Sequence, residues 1–491
     1  MFNPILRADS YKMGHFAQYP KNTVYMFDYL ESRGGKYGFT RFFGLQYYLK
    51  EYLDITVTKE NIEDADSFSK AHGVPFNKAG WDYIVSVHHG RLPLKIRAIP
   101  EGAIVPNRTP LVTIESTDPQ CFWLVGWAET LLMKVWYPTT VATFSFKMKQ
   151  MIEQFLILSA DNPEQELPFK LHDFGYRGVS SEESAGIGGM AHLTNFMGTD
   201  NMLGVRFAQH YYNTCAMVGY SVPASEHSSM TSWKQENETA AYANMLDMYQ
   251  GYPIVSIVAD SYDFFDAVSN QLLGTLLEKV KAHNGFVVIR PDSGDAISNI
   301  RFILKHASEK CGVTINKKGY KVLNHIRILQ GDGINEDTVY DILRDLCFEK
   351  DINSHGWSAE NFVFGCGGAL LQGNYESSIN RDTHRFAIKC SAIITQEGTE
   401  QEFVEVFKDP ITDRKKSSKK GRLDVILDSK TGQLKTVMIN ELSLDKSHPE
   451  SVLNTVFLNG KITKTFTFEE VRANENLFKH QFKSGAEHVI K

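Results

Sequence analysis

The chain has 491 residues, of which 42% are hydrophobic and 22% charged, a composition typical of a globular protein with several structural units. Its 31 Phe, 21 Tyr and 6 Trp exclude disorder as the main state. Lys and Arg number 52 against 58 Asp and Glu, and the net charge of -6 argues against nucleic acid as the main partner.

Residues 1–165 mix short strands with helices. Strand-like runs occur at NTVYMFDYL, LPLKIRAIP, AIVP and LVTIES. The most apolar stretch, CFWLVGWAETLLMKVWYP, contains Glu129 and Lys134, so we predict a buried helix and no membrane partner. The first residues, MFNPILRADSYKMGHF, lack a signal-like apolar region, and the six cysteines form no CxxC pair. We therefore expect a cytoplasmic protein with reduced thiols.

Residues 166–384 repeat one arrangement, in which a strand-like run ends in Gly, Asp or Arg and a helical pattern follows. The intervals are 32 residues from Asp260 to Asp292, 40 to Asp332 and 35 to Gly367. A βα unit of an eight-fold barrel has about 31 residues. FKLHDFGYRG and GYSVPASEH look like two further strand-to-loop segments. We predict an α/β fold with an irregular, incomplete TIM-like barrel.

Residues 385–491 contain strand-like runs of a different kind, at EFVEVFKD, RLDVILD, LKTVMIN and ITKTFTF. Their alternation is typical of antiparallel pairing. We predict that residues 1–165 and 385–491 combine into one discontinuous domain with a mixed or antiparallel sheet.

The polar clusters of the middle segment would all lie at the carboxyl ends of parallel strands, where active sites of such folds are built. The alternative is that Asp and Gly only terminate strands and cap helices. Four successive clusters that each combine Gly with Asp or Arg weaken this alternative. The GCGG sequence after a strand is a possible phosphate cradle, to which Arg381 and Lys389 could add charge. Asp292 and Asp332 are suited to ribose hydroxyls.

The segment DRKKSSKKGR, residues 413–422, holds six basic side chains in ten positions. A solvated loop is the simplest interpretation, and a flap over a polyphosphate is the functional alternative. The absence of GxGxxG disfavours a Rossmann dinucleotide site, and the absence of GxSxG disfavours a serine hydrolase. Since HExxH and other spaced ligand sets are also missing, we expect no dedicated protein metal site.

A family resemblance covers nearly the whole chain. The segments KLHDFGYRGVSS, AGIG, NFMGTD, GYSVPASEHS, ADSYDFF, IRPDSG, QGDGIN, FGCGG and SKKGRL, in this order, closely resemble nicotinamide phosphoribosyltransferases, in the nicotinate/nicotinamide branch of the type II phosphoribosyltransferase family. The resemblance implies phosphoribosyl transfer from phosphoribosyl pyrophosphate to nicotinamide in NAD salvage. It also implies an irregular barrel, a sheet domain and a homodimer with shared active sites.

The resemblance also implies roles for individual residues. Phe174 would stack on nicotinamide, Tyr11 of the other subunit would stack on its second face, and Asp200 would accept the amide N–H. The remaining assignments follow by motif: Arg177 and Arg290 for the amide oxygen or the phosphates, Asp292, Gly331 and Asp332 for the ribose, Gly367, Gly368, Arg381 and Lys389 for the 5′-phosphate, and His227, oriented by Asp260, for pyrophosphate and for phosphorylation by ATP.

Mg²⁺ would be carried mainly by the polyphosphate, and ATP would act as a co-substrate that stimulates the reaction. The chain departs from the family pattern at Cys366, where a small residue such as Ser is expected, and in the length of QGNYESSIN before Arg381. Three alternatives remain open: a nicotinate-specific transferase, an inactive barrel with a binding or signalling role, and a sugar-phosphate aldolase or lyase, which usually needs a strand-end Lys that is not evident here.

Overall fold

The computed structural model describes residues 2–348, 356–374, 378–412, 416–439 and 447–478. The chain forms two compact units: Met1–Thr143, Ala208–Cys215 and Asn380–Lys491 make the first, and Phe144–Phe207 and Ala216–Ile379 make the second. The sequence predicted boundaries after residues 165 and 384. Residues 375–377 of QGNYESSIN and 413–415 of the basic segment lie outside the described residues.

The first unit is built on a seven-stranded antiparallel sheet to which both ends of the chain contribute, as predicted. The strands, in spatial order, are Glu400–Glu405, Phe386–Glu397, Thr23–Ser32, Pro110–Ser116, Leu94–Ala98, Asn454–Leu458 and Lys461–Ile462. Tyr25, Phe27 and Tyr29 alternate along one strand and therefore share a face, where they pack with Ala392 and Ile394. This alternation produces the buried core of the sheet.

Two features of this sheet differ from the sequence prediction. The strand predicted over ITKTFTF is only two residues long, because Thr467 begins a capped helix, Phe468–Ala473, by accepting a hydrogen bond from the Glu470 N–H. Strands Asn454–Leu458 and Phe386–Glu397 were not predicted.

The helices of the first unit include the buried apolar segment that the sequence predicted, which begins at Leu124 and ends at Met133. In the part of the chain described here, no helix is long and apolar enough to cross a membrane. Two small antiparallel sheets pair Phe39–Arg41 with Ile104–Pro106 and Arg422–Leu427 with Leu434–Ile439. The α-helices are Leu45–Tyr48, Lys59–His72, Lys78–Val87, Leu124–Met133 and Phe468–Ala473; Trp136–Ser159 and Met202–Tyr211 each contain a division point between the units.

The second unit is built on a parallel sheet that curls into an irregular barrel. Its strands, in spatial order, are Gly198–Thr199, Leu171–Asp173, Phe362–Cys366, Ile326–Gln330, Phe286–Arg290 and Ile254–Val258. The segment between Tyr220 and Ser225 pairs with both edges, through Gly198↔Tyr220 and Ala224↔Ser256. One irregular segment thus joins the first and last strands, and the predicted barrel is confirmed.

The connecting helices follow the sequence pattern closely. Asn335 caps the helix Glu336–Cys347 by accepting hydrogen bonds from the N–H groups of Asp337 and Thr338. The apolar face of this helix, Val339, Ile342, Leu343 and Leu346, is buried. The helical segment after Asp260 is partly wound as a π-helix, Ala267–Thr275. The remaining α-helices are Pro163–Glu166, Glu182–His192, His227–Thr231, Glu238–Met248, Phe264–Asp266, Leu277–Ala282, Ala296–Cys311 and Gly368–Leu371, and a hairpin pairs Val313–Ile315 with Lys321–Leu323.

Candidate active site

The predicted polar clusters of the second unit converge because parallel strands end at one edge of their sheet. Strand register places Val258 beside Arg290 and Cys366 beside Asp173. The residues that follow these four positions therefore lie in neighbouring loops of a single edge, as expected for an α/β active site.

His227 and Asp260 form a hydrogen-bonded pair at this edge. His227 Nε2 lies 2.8 Å from Asp260 Oδ1, and the carboxylate is 5% exposed while the imidazole is 45% exposed. The buried acid fixes the orientation of an imidazole whose other nitrogen, Nδ1, points away from that bond. This is the arrangement that makes a histidine nucleophilic.

Arg290, Asp292 and Gly331 form a second group. Arg290 Nη2 donates to Asp292 Oδ2 at 3.2 Å, and Arg290 Nε is buried without a hydrogen-bond partner among the described residues. A methyl group on Gly331 would lie 3.1 Å from Asp292 Oδ1, so the glycine lets the next strand end approach the carboxylate closely. Asp332 is exposed beyond it. A buried donor without a partner is costly unless a ligand completes it.

Phe174 is held by the glycine-rich strand end opposite it. Its N–H donates to the Cys366 carbonyl at 2.9 Å, and a Cβ on Gly365 would lie 2.0 Å from the ring. The ring therefore packs against the bare backbone of Gly365, and any larger residue at 365 would displace it. Gly367 and Gly368 begin the short helix Gly368–Leu371.

Cys366, the unusual residue of this cradle, has its thiol buried and bonded to the Ile334 carbonyl at 3.3 Å. Burial raises the pKa of this thiol to about 12. The Cys366 side chain is therefore a small, neutral, buried group that packs below the GCGG segment without displacing its glycine backbone. Arg177 is exposed on the turn Tyr176–Gly178.

Asp200 follows the strand beside the one that leads to Phe174. Its N–H donates to the Asp173 carbonyl at 3.0 Å, and its Oδ1 accepts from Ser221 Oγ at 2.5 Å. Asp173 is fully buried, and burial raises its pKa to about 6 although Gly175 N–H and Asn201 Nδ2 both donate to it. Asp173 thus holds the loop in place through these hydrogen bonds, whereas the carboxylate of Asp200 is exposed and can contact a ligand.

Arg381 and Lys389 lie in the first unit, where they line a cavity of about 660 Å³. Glu129 and Asp382 are its acidic side chains, and the cations outnumber them: Arg33, Arg108, Arg381, Arg385, Lys389, Lys408 and Lys416. Burial is the main cause that lowers the pKa of Lys389. Arg108 and Arg385 adopt left-handed backbone conformations, with φ of +66° and +50°, which is costly for arginine. Such a cavity is suited to a polyanion.

Tyr11 also lies in the first unit, on the 3₁₀ segment Ser10–Ala17, and the residue is 56% exposed. Lys12 pairs with Glu129, and Thr130 Oγ1 donates to Asp9 Oδ2 at 3.0 Å. These polar contacts fix the segment to the helix Leu124–Met133, and Tyr11 stays exposed.

Some residues of these groups could not be found from sequence. Ser221 and Asp173 are identified only by their contacts with Asp200 and its strand. Arg33, Arg108 and Lys408 are remote from Arg381 in sequence, and only the fold places them around one cavity. The basic segment gave a partial signal, because Lys416 from it lines that cavity.

Comparison with known proteins identifies the family of the chain. The model of the nicotinate phosphoribosyltransferase (NAPRTase) family matches residues 169–461, and that of the nicotinamide phosphoribosyltransferase N-terminal domain matches residues 3–96. A nicotinamide phosphoribosyltransferase of Xanthomonas campestris pv. campestris is 47% identical over 96% of this chain and 98% of that protein. One from Acinetobacter baylyi is 32% identical over 96% of each chain.

Two solved structures share the fold at low identity. Nicotinate-nucleotide pyrophosphorylase from Pyrococcus furiosus superposes with a TM-score of 0.60 at 14% identity, covering 98% of this chain and 96% of that one. Human nicotinic acid phosphoribosyltransferase superposes with a TM-score of 0.54 at 14% identity, covering 98% and 95%. The matched family model spans more than half of the chain, and the chain is a member of the nicotinate phosphoribosyltransferase family.

Proposed function

We propose that this enzyme transfers the phosphoribosyl group from phosphoribosyl pyrophosphate to nicotinamide in NAD salvage, giving nicotinamide mononucleotide and pyrophosphate. The observation that carries the proposal is Asp200, an exposed carboxylate at the strand end beside Phe174. An ionised carboxylate only accepts hydrogen bonds, so it favours an amide N–H₂ and repels a second carboxylate. The nicotinamide phosphoribosyltransferases at 47% and 32% identity support the same choice of base.

The base and the ribose would be positioned by the groups around Phe174 and Asp292. The Phe174 ring, fixed on Gly365, offers one stacking face to the pyridine. Asp292 and Asp332, with the close approach at Gly331, would accept hydrogen bonds from the ribose hydroxyls. Holding the ring nitrogen opposite C1 of the ribose converts the encounter into a step within one complex.

The leaving pyrophosphate requires positive charge. Displacement at C1 develops cationic character on the ribose while the C1–O bond to pyrophosphate breaks, and fixed cations stabilise the departing anion. Arg177 and Arg290 would supply this charge at the barrel edge, and Gly367 and Gly368 would cradle a phosphate. Arg381 and Lys389, with the other cations of the first-unit cavity, would bind phosphate groups there.

Mg²⁺ would arrive on the polyphosphate, as is usual for this ion. The two carboxylates best placed to contact it, Asp260 and Asp292, are already paired with His227 and Arg290. They suit an ion that brings its own phosphate ligands better than an ion held by protein alone. Bound Mg²⁺ would neutralise part of the charge on the leaving group.

His227 would couple ATP to the reaction. With Nε2 bonded to Asp260, the Nδ1 lone pair attacks the γ-phosphorus of ATP; the bond from the γ-phosphorus to the β–γ bridging oxygen breaks and ADP leaves. The phosphoryl group would then lie beside the pyrophosphate site, where its charge affects substrate binding and product release. Water then attacks the phosphorus of the phosphohistidine, the P–Nδ1 bond breaks, and inorganic phosphate and the free imidazole result.

The functional unit would be a homodimer with shared sites, in which the exposed Tyr11 ring stacks on the second face of nicotinamide bound by the partner. Stacking on both faces of the base would add about 1–3 kcal/mol relative to one face, by analogy with base–aromatic stacking. A monomer would then lack half of the base site.

The test is conversion of nicotinamide and phosphoribosyl pyrophosphate to nicotinamide mononucleotide with Mg²⁺, compared in the parent protein, Arg290→Ala and Arg301→Ala. Arg301, on the helix Ala296–Cys311, is the matched control because its side chain is exposed and pairs with Asp345 of the helix Glu336–Cys347. We expect a loss of at least about 100-fold in kcat/KM for Arg290→Ala, from a charged hydrogen bond of about 3 kcal/mol. Arg301→Ala should retain activity. No mononucleotide from the parent protein would overturn the proposal.

A further inference from the structure

His88, Asp118 and Cys121 form a mixed-ligand cluster in the first unit, apart from the residues assigned to phosphoribosyl transfer. One ligand atom from each residue lies within 4.8 Å of the other two, and His88 Nε2 is 2.9 Å from Asp118 Oδ2. Among the residues that the structure describes, it is the one group of three or more His, Cys, Asp or Glu side chains with this geometry. Imidazole, thiolate and carboxylate are all zinc ligands.

The local backbone holds two of the three ligand residues, Asp118 and Cys121, in one turn. Asp118 and Cys121 are the first and last residues of the DPQC turn, in which Asp118 caps the 3₁₀ segment Pro119–Cys121 and Cys121 N–H donates to its carbonyl at 3.0 Å. Two ligands separated by two residues is the spacing that structural zinc sites commonly use. His88 follows the helix Lys78–Val87 and completes the set from a distant part of the sequence. A short sequence motif could not reveal it, because His88 lies 30 positions before Asp118.

The distances are compatible with a tetrahedral ion. Zn–N, Zn–O and Zn–S bonds of about 2.0–2.3 Å place the N and O ligands about 3.4 Å apart and sulfur about 3.6 Å from each. His88 and Asp118 would separate by about 0.5 Å, and the sulfur would need to approach by no more than about 1.2 Å from the 4.8 Å limit. The side chains of His88 and Asp118 are 24% and 16% exposed, so water can supply the fourth ligand.

The carboxylate of Asp118 is already oriented by neighbouring hydrogen-bond donors. Gln120 N–H donates to Asp118 Oδ1 at 2.8 Å, and Tyr83 Oη donates to Asp118 Oδ2 at 3.2 Å. Hydrogen bonds of this kind hold ligand side chains in place around bound metals. They fix Asp118 whether or not an ion is present.

A cysteine nucleophile activated by His88 is a poor alternative. Cys121 is completely buried, so a substrate could not reach its sulfur. Burial, followed by the charge of Asp118, raises the pKa of this thiol to about 12, the opposite of what a reactive cysteine requires. The other alternative is that His88 and Asp118 form only a hydrogen-bonded pair beside the buried Cys121 thiol, with no metal. The metal titration below distinguishes this alternative from a metal site.

We propose that His88 Nε2, Asp118 Oδ2 and Cys121 Sγ bind one thiophilic divalent cation of the Zn²⁺ class, which fixes the DPQC turn to the end of helix Lys78–Val87. On binding, the proton that His88 Nε2 shares with Asp118 moves through solvent to Nδ1, so that the Nε2 lone pair faces the ion. The Sγ–H proton is released to solvent as the metal–sulfur bond forms, and the ion keeps its oxidation state. The site is structural: it stabilises the fold of the first unit and takes no part in the proposed transfer reaction.

The test is titration of the chelator-treated full-length protein with Co²⁺, which reports thiolate ligation through a sulfur-to-cobalt charge-transfer band in the near ultraviolet. We expect one equivalent per chain and displacement by one equivalent of Zn²⁺. Cys121→Ser should abolish the band, and His88→Gln should weaken Co²⁺ binding at least tenfold. Cys347→Ser is the matched control, since Cys347 is also buried but lies in the second unit and outside the cluster.

Zn²⁺ should also raise the thermal midpoint of the parent protein and of Cys347→Ser, but not that of Cys121→Ser. The proposal is overturned if the parent shows no charge-transfer band, or if the band persists in Cys121→Ser. If Cys121→Ser fails to fold by circular dichroism, His88→Gln decides alone, because unchanged affinity there excludes the histidine ligand. Nicotinamide mononucleotide formation, measured in parallel, separates this outcome from failure of the proposed function.

Discussion

Replacing Asp200 with Asn tests the origin of base selectivity with the smallest possible change. The side chain keeps its shape and can still accept one hydrogen bond from the carboxamide of nicotinamide, but it loses its negative charge. Ser221 Oγ can still donate to the amide oxygen, as it does to Oδ1 of the parent residue. The substitution therefore isolates the charge of Asp200 from its position.

The magnitude follows from two opposite effects. Nicotinamide exchanges a charged hydrogen bond for a neutral one, a loss of about 1 kcal/mol or about fivefold in kcat/KM. Nicotinate is relieved of repulsion between carboxylates about 4 Å apart, which is about 1 kcal/mol in water-like surroundings and about 4 kcal/mol at an effective dielectric of 20. Because Asp200 is exposed before substrate binds, we take the lower figure as the minimum. The preference for nicotinamide should therefore narrow by at least about 30-fold.

The assay is steady-state kcat/KM for both bases at saturating phosphoribosyl pyrophosphate, in the parent protein, Asp200→Asn and Ser221→Ala. Ser221→Ala is the control, because it removes the hydrogen bond to Oδ1 while leaving the charge, and it should keep the parent's preference within a few-fold. An unchanged preference in folded Asp200→Asn would refute the reasoning.

Four other outcomes are expected. His227→Ala should lose ATP hydrolysis and ATP stimulation but keep slow ATP-independent transfer, and full stimulation would exclude the phosphohistidine. Tyr11→Ala and Asp292→Ala homodimers should be nearly inactive, whereas co-refolding equal amounts should restore about a quarter of normal activity; no recovery in proven mixed dimers would contradict shared sites. Lys389→Met should raise KM for phosphoribosyl pyrophosphate at least about tenfold and leave KM for nicotinamide unchanged, and equal changes in both would exclude a phosphate role. Burial raises the pKa of Asp28 to about 7, so stability should fall as pH rises from about 4 to 7; Asp28→Asn should flatten this fall in denaturant titrations, and identical slopes would contradict it.

Much of the barrel could be predicted because its signals are local. Strand-like runs ending in Gly and Asp, each followed by helical periodicity, predicted the parallel sheet and the helices that connect its strands. The pairing of His227 with Asp260 agrees with their expected proximity at strand ends. Periodicity could not predict how the two edges of the barrel sheet are joined, because the segment between Tyr220 and Ser225 pairs by isolated bridges rather than as a regular strand.

The first unit was harder to predict because its contacts are non-local. The strand Phe386–Glu397 pairs with Thr23–Ser32 across more than 350 residues, and only the fold brings Arg33, Arg108 and Arg381 around one cavity. For the same reason, the proximity of His88 to the DPQC turn could not be predicted from the sequence. Charge and periodicity report neighbours along the chain, whereas these groups depend on the three-dimensional arrangement of the sheet.

The most direct test of the central claim is a competition experiment. The parent protein is incubated with phosphoribosyl pyrophosphate, Mg²⁺ and equal concentrations of nicotinamide and nicotinate, and the two mononucleotides are quantified by mass spectrometry. With the carboxylate of Asp200 beside the Phe174 ring, nicotinamide mononucleotide should be the dominant product by at least about tenfold, with an equal amount of pyrophosphate released. Equal amounts of the two products, or an excess of nicotinate mononucleotide, would contradict the account.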